Sequence, residues 1–131
     1  MQIVFMFLLA LHALSGVFWA GTTFTLVRSG GQGMAALRRP QTGASLIAIA
    51  SGIGLWAIAH RRAFGSFERG LAVGAIAAVL AGVLQFVGHR QAQRAEAPGS
   101  GVRIAPLGAQ RAAAGLLAVA VAAMVCARYI S

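Results

Sequence analysis

The stretch LHALSGVFWAGTTF, residues 11–24, sets a histidine, a serine, a tryptophan and threonines among apolar and small residues. At about 100° per residue, His12, Ser15, Gly16, Trp19 and Thr23 share one helical stripe within about 60° of His12. Leu9, Leu11, Leu14, Val17 and Phe18 cover the remaining surface. A neutral imidazole offers one donor and one acceptor nitrogen. Three kinds of chemistry are therefore open to His12: ligation of a metal ion or haem iron, relay of a proton, and a hydrogen bond that pins two helices together. His12 is the candidate metal ligand, and Ser15, Trp19 and Thr23 are candidates to shape a cofactor pocket around it. No catalytic residue is assigned.

The other reactive side chains narrow the choice. His60 and His89 end apolar segments beside arginines and read as interfacial residues. Neither matches the depth of His12, so a haem held by two histidines of one chain is disfavoured. Single-histidine ligation, another ligand type and a site shared between protomers stay open. Cys126 is the only cysteine, which excludes an internal disulfide and a Cys/His zinc cluster, and it reads as a small apolar residue. Met1, Met6, Met34 and Met124 make no paired thioether pattern for copper. Both glutamates, Glu68 and Glu96, fall in polar connections, so a proton-coupled small transporter would have to run through His12 alone. No P-loop, dinucleotide fingerprint, HExxH or GxSxG motif is present, and the chain is not expected to be an enzyme.

The elements that must carry His12 are set by hydrophobicity. The chain has 131 residues, of which 59% are hydrophobic and 10% charged, with a mean hydropathy of +0.79. That is more apolar surface than a soluble domain of this length hides from water. Four segments are long enough to cross a bilayer, at about 3–27, 42–59, 70–88 and 112–130. In hydrocarbon each must satisfy its own backbone and so be helical. The expected fold is all-α, an integral membrane four-helix bundle forming a single domain over residues 1–131. The first segment lacks a basic leader and a clear cleavage site, and reads as a retained span. His12 lies about nine residues in from Ile3, roughly 14 Å deep at ~1.5 Å per residue, near mid-membrane. The Pro/Gly/Ser-rich centre of the third connection is expected to be mobile.

All 11 basic residues are arginines, and the net charge is +9. They sit in connections or at segment ends, which suits anionic lipid headgroups and not nucleic acid. Arg28, Arg38, Arg39, Arg90, Arg94, Arg103 and Arg111 lie on one side, against Arg61, Arg62, Arg69 and Arg128 on the other. This bias places both termini outside a bacterial inner membrane. Small residues mark the helix contacts: Gly70, Gly74, Ala78 and Gly82, sharing a face with Gln85 and His89; Ala44, Ala48 and Gly52; and Gly115, Ala118 and Ala122. Gln85 is expected to hydrogen-bond across its face. Such ladders also suit a scaffold role, in a homo-oligomer or a larger membrane complex.

The spacing of His12, Trp19 and Gly21 resembles the first helix of the CopD-type (copper-resistance D) membrane proteins and of the related HemJ-type protoporphyrinogen oxidases. The likeness covers the first span well and the rest through the number and length of apolar segments. It implies haem b binding at His12 in the HemJ-type pattern and copper handling in the CopD-type pattern. The HemJ-type pattern also uses a lysine, which this sequence lacks, so protoporphyrinogen oxidation does not carry over.

Overall fold

The computed structural model describes residues 1–59, 65–95, 106–127 and 129. Among them are four α-helices and no strand: α1 (Gln2–Arg28), α2 (Met34–Ala59), α3 (Ser66–Ala95) and α4 (Pro106–Ala127). Each is long and apolar enough to cross a membrane. The exterior is accordingly greasy, with Ile3, Phe7, Leu14, Ile53, Ile76 and Val125 all exposed. An apolar surface this continuous would aggregate in water.

The helices extend beyond the expected spans. α2 begins at Met34 and not at 42, running through Pro40; α3 gains turns at both ends; α4 starts at Pro106 and ends at Ala127. Hydropathy marks only what must sit in hydrocarbon, whereas arginine, glutamine and alanine favour helix wherever the backbone allows. Proline is suited to the first position of α4, where no helical N–H partner is needed. The first connection therefore shrinks to Ser29–Gly33, in which Gly30, Gly31 and Gly33 take φ of +65°, +89° and +79°. Side chains rarely tolerate that region, which explains the glycine-rich turn. The Pro/Gly/Ser-rich centre of the third connection, His60 and Arg128 lie outside the described residues.

Neighbouring helices run antiparallel. Leu8 meets Gly54 and Thr23 meets Gln41 across α1 and α2, while Gly70 meets Ala127 and Gly88 meets Ala109 across α3 and α4. The pairs α1·α2, α2·α3, α3·α4 and α1·α4 all pack, closing a ring. One end of the bundle thus gathers Arg28, Arg38, Arg39, Arg90, Arg94 and Arg111.

At the centre a single large side chain is enclosed by small ones. Trp19 is 2% exposed and packs with Ala44, Ala48, Ala81, Ala113 and Leu117, so three helices of small residues make room for one indole from α1. The expected face of α4 is corrected. Gly115, Ala118 and Ala122 are exposed, and the buried stripe is Gln110, Ala113, Ala114, Leu117, Ala120 and Ala127. Both stripes have helical spacing and small residues, and composition alone does not rank them. The polar Gln110 on the buried stripe is what separates them.

Candidate functional site

The stripe on α1 divides into two sites. His12 sits half-buried in the seam between α1 and α2, with Nδ1 2.8 Å from the Ala48 carbonyl oxygen. A carbonyl only accepts, so Nδ1 carries the proton and Nε2 keeps its lone pair. The Ser51 hydroxyl, which donates to the Ile47 carbonyl at 2.6 Å, stands 3.4 Å from the same Nδ1. Gly52 makes the close approach possible: a Cβ there would lie 3.1 Å from His12 Cε1. Ser15, although buried, donates to the Leu11 carbonyl at 2.6 Å within its own helix. Such back-bonding is the usual refuge of a helical serine, and it takes Ser15 out of any pocket shared with His12.

Two turns further on, Trp19 and Thr23 belong to a buried polar network that joins all four helices. Indole Nε1–H can only donate, and it does so to Gln85 Oε1 at 2.6 Å. That bond orients every amide after it. Gln85 Nε2 donates to Thr23 Oγ1 and to Gln110 Oε1, each at 2.9 Å. Thr23 passes its own proton to the Trp19 carbonyl at 2.8 Å and accepts from Gln41 Nε2 at 2.9 Å. With its oxygen committed, Gln110 donates through Nε2 to Gln41 Oε1 at 3.2 Å and to His89 Nε2 at 3.2 Å. His89 Nε2 is therefore an acceptor, and the ring proton lies on Nδ1. This nitrogen is buried with no hydrogen-bond partner among the described residues.

His89 lies at the arginine-rich end, as expected of an interfacial residue, but its ring is turned into the bundle and only 6% exposed. Gln85 does bond across its face. Gln41 and Gln110, which fall just outside the spans expected from hydropathy, are almost wholly buried. Extending the helical faces would have found them: Gln41 precedes Ala44, Ala48 and Ser51 on one stripe of α2, and Gln110 heads the buried stripe of α4.

Of the residues expected around one cofactor, then, His12 alone retains a free ligating nitrogen. Ser15 is turned to its helix, and Trp19 and Thr23 serve the network. No group of three or more His, Cys, Asp or Glu side chains able to hold a metal ion occurs among the described residues. Comparison with protein-family models, curated proteins and solved structures finds no match to this chain.

Proposed function

We propose that this chain is a small integral membrane protein of the bacterial inner membrane that binds haem through His12. The observation that carries the reading is the hydrogen bond from His12 Nδ1 to the Ala48 carbonyl. Histidines that ligate metals commonly donate their second ring N–H to a backbone carbonyl or carboxylate, which fixes the tautomer and raises the basicity of the other nitrogen. His12 has this arrangement. The donor set favours haem over a bare copper ion. A metal ion needs several protein ligands, which the described residues do not gather, whereas a porphyrin would bring its own nitrogens and ask the chain for as little as one histidine. When bound, haem would supply redox or ligand-binding chemistry at its iron. His12 would hold the iron, and the Ala48 carbonyl would hold His12.

The same hydrogen bond favours a second reading, in which His12 only pins α1 to α2 in a scaffold protein. Asparagine separates the two, because its amide can still donate to the Ala48 carbonyl but is a poor iron ligand. Protein purified from haem-sufficient cells should show a Soret band that is lost in His12→Asn while thermal stability is nearly kept. Wild-type protein without a Soret band, or a His12→Asn variant with an unchanged spectrum, would refute the haem reading.

A further inference from the structure

The arginine-rich end of the bundle holds a cavity of about 390 Å³ between α2 and α3. Its walls are two helical stripes facing each other: Arg38, Arg39, Thr42 and Gly43 from α2, and Phe86, His89, Arg90 and Gln93 from α3. Three arginines therefore line one concave surface, and among the described residues no carboxylate lines it. The two glutamates of the chain are Glu68, at the opposite end of α3, and Glu96, outside the described residues. The Arg90 guanidinium lies 4.7 Å from the centroid of the Phe86 ring, a cation–π contact that holds it to the wall. The ring of His89 forms part of the same wall. As deduced from the amide network, it carries an N–H at Nδ1 that finds no acceptor among the described residues.

Three cations gathered around one cavity repel each other. An anion with several acceptor oxygens relieves that repulsion. Arginine forks match phosphate geometry in particular. The volume lies within the range of about 300–1,000 Å³ typical of small-molecule pockets and exceeds what a bare anion needs, so the phosphate arrives as an ester.

We propose that this cavity is a phosphate-ester site, with Arg38, Arg39 and Arg90 holding the phosphate oxygens beside the His89 ring. The ester could be the headgroup of an anionic membrane lipid or a soluble phosphomonoester, and the two share this recognition chemistry. The site is independent of His12 and of whatever His12 holds.

The test uses the full chain in nanodiscs. Phosphatidylglycerol in place of phosphatidylcholine should raise the melting temperature and shift the His89 Nδ1 resonance of 15N-histidine-labelled protein if a lipid headgroup is the ester. Glycerol phosphate added to phosphatidylcholine discs should do the same if the ester is soluble. In either case the Arg38→Gln/Arg90→Gln double variant should bind at least about tenfold more weakly, since hydrogen bonds to charged groups are the strong ones. Arg28→Gln, at the same end but outside the cavity, should bind as wild type. The proposal fails if neither ester acts, if the double variant responds unchanged, or if Arg28→Gln loses as much as the double variant does.

Discussion

Replacing Gln110 with leucine should destabilise the bundle by about 2–4 kcal/mol, because one side chain links α4 to two other helices and completes the hydrogen bonding of a third residue. Its loss leaves Gln41 Oε1 without its donor and strips His89 of the bond at Nε2, so that neither ring nitrogen of His89 is then partnered. Trp19→Phe orphans Gln85 Oε1 and leaves a gap where the larger indole packs among small residues, and should cost about 1–3 kcal/mol. Gln85→Leu in the Trp19→Phe background should cost less than the sum of the two single changes, because the second substitution removes a group already unpaired. Thermal or chemical unfolding in detergent measures all four variants. Equal stability of Gln110→Leu and wild type would mean that the buried amides contribute nothing net.

The number and kind of elements were legible in the sequence because hydrophobic length is a direct physical requirement of crossing a bilayer. Where each helix ends was not, since the demand of hydrocarbon stops before the helix does. α2 shows this in Pro40 and Gln41, which look like loop residues by composition yet lie inside the helix. The inward face of α3 could be read from Gly70, Gly74 and Gln85, where small and polar residues coincide on one stripe. α4 offered two stripes of small residues, and only Gln110 distinguished the buried one.

The site was legible in part for a related reason. A histidine in an apolar run signals itself, and His12 does lie against a neighbouring helix. What periodicity could not show is that a stripe on one helix meets different neighbours at different heights. His12 faces a backbone carbonyl of α2, whereas Trp19, one residue type in an otherwise similar setting, faces Gln85 of α3. Four of the six residues in the network, Gln41, Gln85, His89 and Gln110, come from three other helices, and their convergence is a property of the packing alone.

Replacing Gly74 with leucine should be the other strongly destabilising change, by roughly 2–3 kcal/mol or more. A Cβ at Gly74 would fall 2.8 Å from Met124 Cγ and 3.0 Å from the Ala120 carbonyl oxygen. Met124 can swing aside, but the carbonyl belongs to the backbone of α4, so the helices must separate. The same contact recurs along the seam, with Gly70 against Ala127 and Gly88 against Ala109. Among membrane helices a larger apolar side chain regains little by burial, since lipid is as apolar as leucine, and close packing itself holds the pair together. The glycine face of α3 is thus occupied within the chain, by α4 at Gly70 and Gly74 and by Trp19 and Ile49 at Gly82. Gly74→Leu should accordingly lower the melting temperature of the protomer itself, at every protein concentration, where an interface between copies would give a concentration-dependent loss. Gly115→Leu supplies the contrast: among the described residues no atom beyond its own stretch of helix lies within 4 Å of its Cβ position, and the variant should unfold with wild type. A Gly74→Leu protein as stable as Gly115→Leu would show that α3 and α4 do not approach as closely as their glycines permit.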